Sequence, residues 1–424
     1  MDQTFRIAGQ IVTRSEMHDS KISFAQGLLR ADHARGIRPR CLCRPEGVEM
    51  VVRRHPARFV LARMPDSGNL HDPSCESFDL PAGETGRGQY HATGIQIDEL
   101  GQLSVTLEEP LHETRRRVAS VPPEESIVGR SRSLRKPNKT TLLGLVHEFW
   151  SQAGLNKWHP HMQGKRGWWT VRKRINEIVQ TTRVNQVPLS GRLWIPEAFK
   201  AEAREAQREA FRTFLDHATR SDGRRQPYAL LLAPLAGEKG TKYGRRLSIT
   251  HLKEFAFWME DPVWDVFHRR FERDLTSLSD RSDGISVLCI LILSAGRSEG
   301  NVNVVGGSAM RITRELIPVD SRYEVRIANA LVQEGRAFIK PLRYDALASD
   351  VFPDFELLDV GGRPLPMEIY GFAGSDEYDR RKHEKLASYA ASGRPFWHWD
   401  VATAGAAIGS WPPFPLASRP AGTS

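Results

Sequence analysis

The stretch "VFPDFELLDVGGRPLPMEIYG" places two carboxylates where carboxylates are costly. Asp354 opens one short strand pattern. Glu368 sits between Met367 and Ile369 in a second, beyond a Gly361-Gly362 turn. An unpaired charge inside an apolar strand costs on the order of several kcal/mol. Neighbouring strands lie about 4.8 Å apart, so two of them can hold a pair of acids side by side. Their repulsion becomes useful once a divalent cation sits between them. A Mg²⁺ or Mn²⁺ ion held this way suits phosphodiester hydrolysis, because it offsets charge at the scissile phosphate and helps to deprotonate a water. The plainer alternative for the same acids is a structural ion pair with Arg381 or Lys385.

A second set of residues has metal-ligand character. "CLC" supplies Cys41 and Cys43, and "HDPSC" supplies His71 and Cys75. Two short strand patterns, "VEMVVRR" and "RFVLARM", lie between, so both pairs return to one end of a hairpin. Three thiols and an imidazole are the donors that tetrahedral Zn²⁺ takes, and four protein ligands make the role structural. The alternative is unrelated thiols and a surface histidine. Cys289 lies in an apolar run and reads as a small core residue. With 4 cysteines in 424 residues there is no disulfide framework. "KWHPHM" carries His159 and His161 without an evident third ligand and reads as a loop.

The elements that must position these groups fall into an α+β, multidomain pattern. Residues 1–112 read as a β-rich domain around the zinc site, ending in a hairpin near Gly101. Residues 113–139 are Pro-, Ser- and Arg-rich, with eight basic and three acidic residues, and read as a flexible basic linker. Residues 140–310 read as a mixed α/β middle domain. Leu142, Leu145, Val146, Phe149 and Trp150 form a helical stripe there. A basic helix carrying Arg172, Lys173 and Arg174, followed by a strand and turn, resembles a winged-helix module that reads DNA. The bland reading is a solvated helix face. "HLKEFAFWMEDPVWDVFHRRFERDL" reads as one helix, and "GEKGTKYG" as a turn between strands rather than a phosphate loop. Residues 311–402 read as helix, three strands, helix and strand after a first strand, and residues 403–424 as a tail.

The chain carries a net charge of +9, which favours a polyanionic partner such as DNA. Its N-terminus lacks a signal-peptide pattern, and the longest strongly apolar run, "ISVLCILIL", is too short to span a bilayer. The expectation is a cytoplasmic protein with no membrane partner.

The αβββαβ order over about residues 315–402, together with these acids, resembles the PD-(D/E)XK restriction-endonuclease-like nuclease superfamily. The family's Pro-Asp appears as Pro353-Asp354. Its (D/E)-x-K appears in altered form as Glu368-Ile369-Tyr370, and its helical glutamate as Glu324. The resemblance implies a catalytic site of Asp354, Glu368 and Glu324, with Asp354 and Glu368 on Mg²⁺ or Mn²⁺. The usual lysine is replaced by Tyr370. In some relatives that lysine comes from the next helix, where Lys385 is the choice and Lys382 the rival, on a face with Tyr378, Arg381 and Tyr389. Glu324 also fits a capping box with Ser321, and both roles stay open. Asp359 reads as turn chemistry and Glu356 as a solvated side chain. The whole chain is also similar to an uncharacterised bacterial family of plasmids and other mobile elements. The expected function is a DNA-associated protein with a Mg²⁺-dependent nuclease-like domain. The alternative, favoured by Tyr370, is a non-catalytic nucleic-acid-binding or assembly protein on a degenerate nuclease fold.

Overall fold

The computed structural model describes residues 3–18, 22–54, 58–89, 94–98, 101–113, 139–221, 223, 226–278, 284–296, 300–344, 352–371 and 376–418. The basic segment 113–139 lies outside these residues except for its two ends. The chain is mixed α+β, with four sheets and nine helices among the described residues.

The first sheet is built from β1 (Thr4–Ile7), β2 (Gln10–Thr13), β3 (Arg40–Cys41), β4 (Val48–Arg54) and β5 (Phe59–Arg63), in the order β2-β1-β3-β4-β5 and antiparallel throughout. Between β2 and β3 run α1 (Arg14–His18) and α2 (Ile22–Arg35). The sequence reading has no helix at α2. Among its described apolar residues Ala25 and Leu29 are deeply buried while Phe24 is exposed, so its apolar stripe is too thin to announce itself.

Next come β6 (Ile95–Ile97), β7 (Leu103–Val105), α3 (Leu142–Gln152), β8 (Lys157–Trp158), α4 (Trp168–Val179), β9 (Thr182–Val184) and β10 (Val187–Pro188). The hairpin around Gly101 forms, but β7 pairs with β9 and the sheet runs β10-β9-β7-β6. The β9–β10 turn uses Asn185 and Gln186 with φ of 49° and 68°, the left-handed pair that a tight two-residue hairpin favours. α3 and α4 bury Leu145, Phe149, Val171 and Ile175 beneath this sheet.

The third unit contains β11 (Leu193–Trp194), α5 (Arg204–Ala218), β12 (Ala229–Thr241), β13 (Gly244–Ile249), β14 (Ala256–Met259), α6 (Asp261–Leu275), β15 (Ser286–Ala295), β16 (Asn301–Ile312) and β17 (Pro318–Val319). Because β12 pairs with both β13 and β15, the path β12-β13-β14-β16-β15 closes on itself as a five-stranded barrel. Leu231, Leu247, Phe257, Cys289 and Val302 fill it. The single helix expected over 251–275 divides here. Phe257 and Met259 are buried at a strand's spacing of two, and α6 starts only at Asp261 with a proline in its first turn.

The last unit has α7 (Arg322–Gln333), β18 (Phe338–Ile339), β19 (Phe355–Leu357), β20 (Leu365–Tyr370), α8 (Asp376–Ser392), β21 (Trp397–Asp400) and α9 (Val401–Ala404). Its sheet order is β21-β20-β19-β18-β8, with β20 and β21 parallel and the other pairs antiparallel. The outer strand β8 comes from far upstream, and Trp158 joins the core of Phe338, Phe355, Met367 and Trp399. Residues of the expected tail also pack here, since Trp411 and Phe414 lie against the same core and Trp397 Nε1 donates to the Pro412 and Pro413 carbonyls. Replacing Trp158 by alanine should therefore cost about 3–5 kcal/mol. Urea unfolding followed by a signal from the C-terminal sheet reads this out, and a midpoint equal to the parent's would contradict the shared core.

Candidate metal and carboxylate sites

β3 ends at Cys41, and the next turn presents Cys43. A short 3₁₀ turn, Gly68–Leu70, delivers His71, and the following turn delivers Cys75. The ligand atoms of the four residues all lie within 4.8 Å of one another. Cys41 Sγ is 3.8 Å from Cys75 Sγ, and His71 Nδ1 is 3.4 Å from Cys43 Sγ and 3.8 Å from Cys75 Sγ. Tetrahedral Zn²⁺ with bonds of about 2.3 Å to sulfur separates two sulfurs by about 3.8 Å, so the spacing fits such an ion and no disulfide forms. Hydrogen bonding with Cys43 and Cys75 holds the Cys41 thiol far below its usual range, and the Cys41 contact pushes the Cys75 thiol up. Gln3 Nε2 donates to Cys41 Sγ and Cys75 Sγ at 3.2 and 3.0 Å, and Ser77 N–H to Cys75 Sγ at 3.3 Å. These are the outer contacts that a thiolate ligand needs. Just beyond, buried Lys157 donates to the Glu76 and Phe78 carbonyls and ties this segment to β8.

In the C-terminal sheet, Phe355 pairs with Met367 and Glu356 with Pro366. Asp354 stands just before β19 and is fastened to β20 on either side of Glu368, its N–H donating to the Met367 carbonyl at 3.0 Å. Asp354 Oδ2 accepts from Ile369 N–H at 2.8 Å, and Oδ1 lies 3.3 Å from Arg343 Nη2. Glu368 is fully buried; its two oxygens take Lys385 Nζ at 2.6 Å and the Tyr389 hydroxyl at 2.8 Å. Burial, with Asp354 adding to it and Lys385 opposing, raises the Glu368 carboxyl to about 7. Lys385 also donates to the Phe352 carbonyl at 3.0 Å, whereas Lys382 turns to Asp400 at 2.5 Å, over the Tyr370 ring.

Glu324 divides its role. Ser321 Oγ accepts from Glu324 N–H as an N-cap, but the Glu324 carboxylate accepts from Asp320 N–H at 2.9 Å and meets Lys340 Nζ at 2.7 Å. Burial raises its carboxyl to about 7 against the pull of Lys340. Lys340 and Arg343, which the sequence reading passed over, are each surrounded by acids. Lys340 is buried, bonds Asp320 and Glu324, and is held in its charged form by them and by Asp354. The signal was present in "AFIKPLRY", where a lysine interrupts an apolar strand as Glu368 does. Among the described residues, the Cys/His cluster is the group of three or more metal-capable side chains lying within 4.8 Å; Glu324, Asp354 and Glu368 do not form one.

Glu356, expected in solvent, is instead buried and paired with Arg394 at 3.1 Å, and burial raises it to about 7. Asp359 binds Arg336 through both oxygens at 2.8 and 3.0 Å. The basic helix α4 is largely engaged within the chain: Arg172 pairs with Glu197 at 2.9 Å, Arg174 donates to the Ala153 carbonyl at 2.8 Å, and Lys173 stacks over Trp169. His159 is buried and His161 pairs with Glu76 at 2.8 Å.

Two outcomes follow from these environments. Elemental analysis should find about one zinc per chain and lose it in Cys41→Ser; equal metal content in both would remove the site. Glu356 has a folded pKa above its unfolded value of 4.5, so the stability it adds is complete below 4.5 and is lost as pH rises through about 7. Glu356→Gln should flatten that decline in melts taken between pH 5 and 7.5, with at most about 3 kcal/mol at stake at roughly 1.4 kcal/mol per unit.

No helix among the described residues is long and apolar enough to cross a membrane. No curated protein and no solved structure matches the chain. The family described as "Protein of unknown function (DUF1173)" matches residues 9–402, nearly the whole length. The chain belongs to the DUF1173 family.

Proposed function

We propose that the C-terminal unit is a nuclease-like domain of the PD-(D/E)XK type that hydrolyses phosphodiesters with a divalent cation, within a DNA-associated, zinc-stabilised protein of mobile elements. The observation that carries this reading is the fastening of Asp354 to the backbone on both sides of Glu368, through Met367 and Ile369, with the Lys385 ammonium 2.6 Å from Glu368. Two acids and a lysine, from the residue before β19, from β20 and from α8, match the donor set that such chemistry uses, although the lysine comes from the helix. Asp354 is well placed to share an ion, since among the described residues one of its oxygens meets only the half-exposed Arg343, at 3.3 Å. A Mg²⁺ or Mn²⁺ held by Asp354 and Glu368 would neutralise phosphate charge and acidify a water. Lys385 would orient that water or offset charge developing on the phosphate. Lys340 and Arg343 hold the surrounding acids in fixed positions, and Arg343 is exposed enough to meet a phosphate oxygen.

A second reading has its own support. Glu368 already has a partner on each oxygen, and Tyr370 stands where a lysine is usual. That saturation favours a non-catalytic nucleic-acid-binding or assembly role for a degenerate nuclease fold. Incubation with plasmid, linear and branched DNA plus Mg²⁺ or Mn²⁺ separates the two. Hydrolysis by the parent should fall at least about 100-fold in Asp354→Ala, Glu368→Ala and Lys385→Ala. Equal residual nicking in all four proteins would mark a contaminant and leave the non-catalytic reading standing.

A further inference from the structure

The closed barrel offers a surface that the carboxylate site does not use. One outer flank, formed by β12, β15 and β16, is covered. Leu230, Leu232, Ile290 and Met310 there pack into the core shared with α3 and α4. On β13 and β14, Leu247, Ile249, Phe257 and Met259 point into the barrel, so Arg246, Ser248 and Trp258 point outward.

Register aligns these outward residues across four strands. Lys239 on β12 pairs with Arg246 on β13, Arg246 with Trp258 on β14, and Trp258 with Asn303 on β16. The row Lys239–Arg246–Trp258–Asn303 thus crosses the sheet over about 14 Å, at about 4.8 Å per strand. Lys239 and Arg246 are exposed, and the Trp258 ring is half-buried, steadied by its Nε1 donating to Asn301 Oδ1 at 3.1 Å. At the hairpin end of the same strands, Tyr243 is 77% exposed with the Lys242 ammonium over its ring at 5.4 Å. The neighbouring acid, Glu238, is paired with Arg245 at 3.4 Å.

We propose that this face of β12, β13 and β14 binds single-stranded nucleic acid. Cations and flat aromatic rings close together on one surface are what an unpaired strand requires: phosphates meet Lys239, Arg246 and Lys242, and bases stack on Trp258 and Tyr243. A duplex hides its base faces and gains only the charge contacts. A five-stranded Greek-key barrel with a helix between its third and fourth strands presents its second and third strands in this way. The barrel here has that connectivity, with α6 between β14 and β15. The net charge of +9 acts in the same direction. The surface is separate from Asp354 and Glu368, so it stands or falls without reference to hydrolysis.

The test is fluorescence anisotropy of a labelled thymidine 20-mer with the full chain in magnesium-free buffer. Unlabelled duplex and a neutral oligosaccharide serve as competitors. Lys239→Ala/Arg246→Ala should bind about tenfold more weakly, with the salt slope shallower by about 0.7 for each phosphate no longer neutralised. Trp258→Ala should weaken binding by about tenfold or more, and Trp258→Phe should restore most of it. Binding by the double variant equal to the parent's would overturn the proposal. So would competition by duplex as strong as by single strand, or displacement by the oligosaccharide. Should Trp258→Ala fail to fold, the exposed Lys239 and Arg246 decide the matter.

Discussion

The triangle of Glu368, Lys385 and Tyr389 is the interaction on which the C-terminal unit turns. A carboxylate with no exposed surface must be fully partnered or neutral. Both oxygens of Glu368 are met from a single face of α8, by side chains four residues apart, one helical turn. That requirement sets the rotation of the helix and its distance from β20. It also aligns the parallel strand β21, because α8 is the crossover between β20 and β21. The same rule recurs around it: Glu324 with Lys340, Glu356 with Arg394, Asp359 with Arg336. The unit has an apolar core with charges embedded at its margins, each tied to at least one opposite partner. Breaking any pair leaves a buried charge behind, which costs more than the pair itself contributes.

Much of this was legible from the residues. Glu368 between Met367 and Ile369 announced a buried acid, and the pairs C-x-C and H-x3-C announced converging soft ligands. The amphipathic stripes of α3 and α4 and the capping position of Ser321 were visible for the same reason: periodicity and cap chemistry act within a few residues. What escaped was non-local. α2 was missed because its apolar side chains are few and Phe24 faces outward. β16 was missed because Gly306 and Gly307 interrupt its apolar pattern where it crosses β15 closely. β14 was assigned to a helix because Phe255, Trp258 and Met259, at i, i+3 and i+4, fit a helical face as well. Glu356 was placed in solvent because alternation along β19 says which residues share a side, while Arg394, thirty-eight residues later, decides what covers them.

The Cys/His cluster and the carboxylate sheet are mechanically joined. Lys157 fastens the backbone just after Cys75, and its neighbour Trp158 is built into the C-terminal core. Further along the same seam, Glu148 on α3 accepts from the Tyr344 hydroxyl at 2.7 Å and pairs with Arg87 at 3.3 Å. Charged groups buried between units hold them in one arrangement, since sliding would strand them without partners. β8 is thus shared between the segment that follows Cys75 and the outer edge of the C-terminal sheet.

β8 has a bearing on how the chain is made. Its partner β18 lies about 180 residues downstream, and the sheet is complete only when β21 has emerged. At roughly 5–20 residues per second, the ribosome leaves that edge unmatched for about 9–36 seconds. The edge is two residues long and carries Lys157, features that discourage pairing with a stranger. A short, charged strand can wait for its own sequence to arrive.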